Sequence, residues 1–233
     1  MPPFTRDQFL AVFVGYNESI WPAQAVAYLL GLSAIAMLFR PGPVTDRFVS
    51  AVLALFWIWT GVAYHGLFFS RINQAAYVFA VLFVAQGVYI GVAGVLRGRL
   101  SFGWRRSLRQ ALGLAFILYA TVAYPAIGIL MGHASEELPM FGVTPCPVTI
   151  FTFGMLLLAT RPLRRLILVI PLLWSLIGGS AAILLGIPQD WLLLVSALPS
   201  IPLIVLSERR ERLITPAKLR GPRCPCERDM NSR

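Results

Sequence analysis

Lysine is almost missing from this chain. Lys218, close to the C-terminus, is the only one, so no apolar segment can hold a Schiff-base ligand. Histidine occurs twice, as His65 and His133, too few for the multi-histidine sites of membrane desaturases and hydroxylases. The three cysteines, Cys146, Cys224 and Cys226, do not make a disulfide framework. No HExxH zinc motif, P-loop or G-x-S-x-G elbow appears. Charged residues make up only 13% of the chain, which cannot cover the core of a soluble domain. No carboxylate falls in the middle of an apolar run, and that argues against proton coupling through a buried acid.

What is present in their place is apolar. Hydrophobic residues are 58% of 233, with a mean hydropathy of +0.73. Several uncharged runs approach the ~20 residues needed to cross ~30 Å of hydrocarbon. They are continuously apolar rather than alternating, so helices are expected and a β-barrel is not. The expected fold is all-α: one polytopic transmembrane helix bundle over residues 1–206. Seven spans are expected near 22–39, 48–69, 75–96, 111–131, 143–160, 163–185 and 191–206. Pro199 and Pro202 would kink the last, and Gly178-Gly179 is a candidate break in the sixth.

The formal charge is +10. In a soluble protein that excess points to nucleic acid; in this chain its distribution points to membrane topology. Arg40 and Arg47, then Arg97, Arg99, Arg105, Arg106 and Arg109, then Arg161, Arg164 and Arg165 fall in alternate connections. Residues 207–233 carry eight more, so only Arg6 and Arg71 lie on the other side. This alternation predicts an outside N-terminus and a cytoplasmic C-terminus, and argues against a nucleic-acid partner. The expected partners are the bilayer itself, anionic lipids at the basic cytoplasmic side, and a membrane-protein partner or a second copy. No cleavable signal is expected, because the first twenty residues lack a basic leading region. Residues 207–233 read as a basic, disordered cytoplasmic tail.

Before the first span, Thr5 and Gln8 form a capping-box pair, and Phe4 and Phe9 stand at staple positions. Phe9, Phe13 and Tyr16 share a face, which predicts a short interfacial amphipathic helix over about 5–16, ending near Gly15. In FGVTPCPVTIFTFG, Thr144 is the expected cap of a helix with Pro145, Cys146 and Pro147 in its first turn. Gly87, Gly91 and Gly94 read as packing positions, and Gln86 as an interhelical hydrogen-bonding residue.

Polar residues collect at the predicted outer ends. The candidate ligand-binding cluster is Glu18, Tyr64, His65, Arg71, Tyr124 and Cys146. For His65 an interfacial hydrogen bond is favoured over ligation, and for Arg71 an ion pair with Glu18 or Asp190. The sequence assigns no catalytic residue and no cofactor. The one arrangement that would hold a metal or haem joins His65, His133 and Glu136, with Cys146 nearby. His133 and Glu136 have a His-x-x-Glu spacing, but only one such pair occurs.

The segments YNESIWPAQ, GVAYHGLFFSRIN, FGVTPCPVTIFTFG and IPLLWSLIGGSAAILLG together resemble an uncharacterised family of bacterial integral membrane proteins, a domain of unknown function. The resemblance covers residues from about 4 to 206. It implies a multi-pass protein of the bacterial cytoplasmic (inner) membrane and carries no substrate, cofactor or site residue. The leading expectation is a small-ligand binding or transport-like protein with an outward-facing polar pocket. The alternatives are a structural or assembly subunit without a ligand, and an extracytoplasmic-facing metal or redox enzyme.

Overall fold

Thr5 opens the first helix as the sequence predicts. Its hydroxyl accepts from the Gln8 backbone N–H at 3.2 Å, and the Gln8 side chain accepts from the Thr5 N–H at 2.9 Å. The Phe4 and Phe9 rings stack with centroids 5.8 Å apart. This is the start of a computed structural model that describes residues 4–187, 190–200 and 202–204. The expected tail, 207–233, with Cys224 and Cys226, lies outside the described residues.

Among the described residues the fold is all-helical, with one isolated antiparallel bridge, Phe102–Ala159. Helix α1 (Arg6–Ile20) runs past the expected end at Gly15, because packing buries Tyr16 and Asn17 beyond it. It meets α2 (Ala23–Met37) at 85° across Trp21-Pro22, where Pro22 supplies no N–H to continue the first helix. Helix α3 (Pro43–Trp59) continues as a π-helix over Thr60–Phe68 and a short turn to Arg71. Helix α4 (Ala76–Ile90) widens in the same way over Gly91–Leu96. Helix α5 (Leu108–Leu118) passes through Tyr119–Ala123 into α6 (Tyr124–Leu130). Helices α7 (Pro145–Leu157), α8 (Leu166–Leu185) and α9 (Trp191–Ile204) complete the bundle.

Four helical rods are long and apolar enough to cross a membrane: Pro43–Arg71, Ala76–Leu96, Leu108–Leu130 and Leu166–Leu185. A fifth counts if the bent α1–α2 pair is one span. The expected spans at 143–160 and 191–206 are shorter helices. At 1.5 Å per residue, α7 with its 13 residues is only about 20 Å long. The reason is visible in its surroundings. Every residue from Pro145 to Leu157 is buried by protein, whereas the Ala76–Leu96 rod is only 28% buried along its most apolar stretch. An apolar run signals a dry environment, and here that environment is other helices. Elsewhere the large apolar side chains face outward, such as Leu29, Val81 and Leu184.

The bundle closes on α7 through glycines. A Cβ on Gly113 would lie 2.7 Å from the Gly154 carbonyl oxygen, and one on Gly154 equally close to that of Gly113. Helices α3 and α4 touch at Gly87, where a Cβ would meet the Ala54 carbonyl oxygen at 2.7 Å, and again at Gly94 against Ser50. The Gly178-Gly179 pair does not break α8; it accepts Leu193 and Leu194 of α9. Gly142, with φ +77°, makes the turn into α7 under Ala27 and Phe56. Side-chain hydrogen bonds add cross-links: Trp57 Nε1 donates to Thr152 Oγ1 at 2.9 Å, and Gln86 Nε2 to the Ile167 carbonyl at 2.9 Å.

The connections gather at two ends. At one end Trp104 N donates to the Leu38 carbonyl, Thr160 N to that of Ser101, and Asp46 accepts from Ser101 Oγ and Phe102 N at 2.6 and 2.7 Å. At the other end Asn17 donates to the Glu136 and Leu138 carbonyls, and α1 packs on the end of the α3 rod. The arginine-rich segments 40–47, 97–109 and 161–165 therefore share the first end.

Replacing Gly154 with Val sets a β-branched side chain against the Gly113 backbone. The expected loss is about 1–3 kcal/mol, read as a lower thermal midpoint in detergent. Gly15→Ala, where a Cβ meets nothing within 4 Å, leaves the midpoint unchanged or raises it.

Candidate functional site

Helix α8 carries small residues at Gly178, Ala181 and Ala182, at helical spacings of three and four. Where this stripe faces α1 and the end of α3, the side chains opposite are aromatic and too stiff to fill the gap. The result is a cavity of about 170 Å³. Its aromatic wall is Phe4, Phe9, Phe13, Tyr64, Phe69, Phe79 and Trp174; its floor holds Pro145, Cys146 and Asp190. The end of the bundle that holds it is the one opposite the arginine-rich connections.

Asp190 lies in the connection between α8 and α9 and is 3% exposed. The Tyr124 hydroxyl donates to its Oδ1, and the Cys146 thiol lies against the same carboxyl. Burial outweighs the lowering effect of these two neighbours and leaves this carboxyl raised to about 6. Among the described residues no basic side chain pairs with it; the ion pair there is His133–Glu137, at 3.4 Å in the loop before α7. A buried acid was not anticipated from the sequence, because residue 190 sits at the end of an apolar run rather than inside one.

His65 is fully buried and boxed by rings. Tyr64, Phe69, Phe79, Phe83 and Trp174 all lie with centroids within 6.1 Å of it. Neither ring nitrogen has a hydrogen-bonding partner, so the interhelical bond expected for it is not formed. The Trp174 indole nitrogen lies against Cys146 but completes no hydrogen bond. The π-helical turn at Thr60–Phe68 carries both Tyr64 and His65. Such turns widen the backbone and often occur at functional positions.

Of the candidate cluster, the structure brings together Tyr64, Tyr124 and Cys146 around Asp190, with His65 one ring away. Glu18 is exposed on α1. Arg71 forms none of the expected ion pairs; its guanidinium stands over the Phe68 ring, 4.7 Å from the centroid. His133 and Glu136 lie in the loop at 132–138, and His65 is inside the bundle. Glu136 is exposed, and its own N–H and the Ser135 hydroxyl hold its carboxyl below the usual range. Among the described residues no three His, Cys, Asp or Glu side chains assemble as a metal-ligating group. Sequence reasoning noted Asp190 at an outer end, as a partner for Arg71, without placing it in the cluster, and missed Phe79 and Trp174. The spacing of Gly178, Ala181 and Ala182 was the available signal.

Two hydrogen-bonded anchors hold α1 across the cavity. Tyr16 Oη donates to the Val143 carbonyl at 2.6 Å and accepts from Trp59 Nε1 at 2.9 Å. Asn17 Nδ2 donates to the Glu136 and Leu138 carbonyls at 2.8 and 2.9 Å. At the opposite end a second cavity, of about 680 Å³, is lined by Arg97, Arg99, Arg161 and Arg164 and by apolar residues such as Tyr89 and Ile167.

These features define an all-helical protein with several membrane-length apolar rods and an aromatic cavity, containing one acid, at one end of the bundle. The chain belongs to the Family of unknown function (DUF6064), whose model matches residues 6–215. No curated protein and no solved structure matches the chain.

Tyr16→Phe leaves the Trp59 N–H and the Val143 carbonyl without a partner, a cost of about 1–2 kcal/mol. If α1 covers the cavity, Cys146 becomes about 5- to 30-fold faster to alkylate with N-ethylmaleimide. The measurement uses a Cys224→Ser, Cys226→Ser background; an unchanged rate would show that α1 does not control access.

Proposed function

We propose that this protein is a multi-pass membrane protein that binds a small ligand in the aromatic cavity, on the outer face of a bacterial inner membrane. The observation that carries the reading is the cavity itself, which brings an acid to a mostly aromatic and aliphatic enclosure. A void of this size in a well-packed bundle costs stability, and function is a reason to keep it.

The order of the connections supports a reading with seven crossings. Helices α2, α3, α4, α5–α6, α7, α8 and α9 run alternately between the arginine-rich end and the cavity end. Helix α7 crosses with its buried flanks, 138–144 and 158–160. Non-helical backbone is tolerated at membrane depth when protein surrounds it. Helix α1, turned 85° from α2, then lies along the outer interface. The arginine-rich end faces the cytoplasm, and its 680 Å³ cavity suits the phosphate of an anionic lipid with the acyl chains against Tyr89 and Ile167.

Sidedness is checked with a membrane-impermeant maleimide on intact spheroplasts. Cys224 and Cys226 should stay unlabelled until the cells are opened; labelling beforehand reverses the orientation.

Ligand access is checked by quenching of Trp174 fluorescence with bromobenzene in detergent, taken as the difference between the wild type and Trp174→Phe. Saturable quenching that disappears in Ala181→Phe, which fills the cavity, is expected. Non-saturable quenching, equal in both proteins, would mean partition into the micelle and no site.

A further inference from the structure

Asp190 presents a charge problem that its neighbours do not solve. Tyr124 and Cys146 supply polar hydrogens to the carboxyl but no positive charge. Among the described residues no arginine, lysine or histidine pairs with it. A carboxylate enclosed by apolar side chains is costly unless a cation meets it, and ionisable groups within membrane proteins ordinarily pair or mark a ligand path.

The walls restrict what that cation is. An alkali or alkaline-earth ion needs several oxygen ligands. Besides one carboxyl the cavity offers only the Asn73 amide, the Tyr64 hydroxyl and the Cys146 thiol amid apolar side chains, and no metal-ligating group of three forms among the described residues. A sugar or other polyol would need several donors and acceptors, and the wall is mostly hydrocarbon. Aromatic rings instead attract a weakly hydrated organic cation through their negative faces. Tyr64 stacks on Phe69 and Phe79 meets Trp174 edge-on along this wall, with the His65 ring between the two pairs. The volume, about 170 Å³, is close to that of an apolar cavity that accepts benzene, roughly 150 Å³. It therefore suits an ammonium bearing a few small alkyl groups, and excludes a lipid-sized molecule.

We propose that the cavity is a site for a small alkylammonium ion, with Asp190 as its counter-charge and the aromatic rings as its walls. The proposal rests on the reading of this cavity as a ligand site and names the class of ligand. Cys146 and Tyr124 are positioning residues: they hold the carboxyl toward the cavity.

The test uses the purified full-length chain in detergent and two probes of nearly equal shape. Choline carries a trimethylammonium group, and 3,3-dimethylbutan-1-ol has a neutral tert-butyl group in its place. Binding is read as the Trp174-dependent fluorescence difference. Choline should bind saturably and at least tenfold more tightly than the alcohol. Asp190→Asn should weaken choline at least tenfold and leave the alcohol unchanged. Equal binding of the two probes, or choline binding indifferent to Asp190→Asn, overturns the proposal. If bromobenzene quenches saturably and choline does not bind, the cavity is a ligand site but not for a cation. If neither binds, the reading of the cavity as a site fails, and the cation proposal with it. Should Asp190→Asn not fold, the comparison of the two probes on the wild-type protein decides alone.

Discussion

The bundle is organised around one helix that touches nothing but protein. Each of the thirteen residues of α7 is buried, and burial of that kind requires partners on every side. The α5 and α3 rods and α8 supply them. The contact is close because glycine lets backbones meet: Gly113 and Gly154 put carbonyl oxygens where a Cβ would be. Inside a membrane the hydrophobic effect does not separate one apolar face from another, so close packing and hydrogen bonds hold such helices together. The Trp57–Thr152 bond and the glycine crossings are of this kind. Because α7 is short, its ends are where the structure departs from a simple bundle. At its start the cavity forms; at its end the connection 158–160 pairs with 101–103.

Those two ends are built differently. At the arginine-rich end, Asp46 accepts from Ser101 and Phe102, Gln110 Nε2 donates to the Gly103 carbonyl, and Arg109 donates to the Ala159 carbonyl. The buried polar side chains there have partners. At the cavity end aromatic stacking replaces these bonds: Phe13 and Phe69 stack on the two faces of Tyr64, with centroids 5.4 and 5.7 Å away. Ring stacking supplies packing without satisfying donors or acceptors. This end is thereby able to hold a void and polar atoms at the same time.

Much of this was legible in the sequence, and the divisions follow physical lines. Local signals were reliable: the Thr5–Gln8 capping box, the Phe4–Phe9 staple and the start of α7 at Pro145 depend on neighbouring residues only. Gln86 and Gly87 were legible as packing positions, because a polar amide or a glycine in a long apolar run has few other uses. The length of α7 was not. An apolar side chain gains the same transfer energy from lipid as from protein, so hydropathy does not say which one surrounds it. The site was half legible. Tyr64, Tyr124 and Cys146 stood out as polar residues at span ends. Asp190, Trp174 and Phe79 join them through tertiary packing, of which the small-residue spacing on α8 is the one trace along the chain. Glu18 and Arg71 stood out for the same reason as the others, yet the fold turns them outward.

The distribution of unsatisfied atoms is the strongest sign that the cavity end is more than the rim of a bundle. Among the described residues, six buried side-chain nitrogen or oxygen atoms have no hydrogen-bonding partner: Asn17 Oδ1, Gln24 Oε1, Thr60 Oγ1, both His65 ring nitrogens and Trp174 Nε1. None belongs to the arginine-rich end. Each such atom costs about 1–3 kcal/mol relative to a satisfied one, so confining them to one half is a local expense that the fold tolerates there. An imidazole in a box of rings could be replaced by another ring with no loss of hydrogen bonds, and a chain under pressure for stability alone has no reason to keep it. Local departures from good packing and full hydrogen bonding are expected where a protein does its work. Here the departures lie in the same half of the bundle as the void and the buried carboxyl, and Trp174 is both an unsatisfied residue and part of the cavity wall. That shared location of independent features is what supports the proposed site at the cavity end.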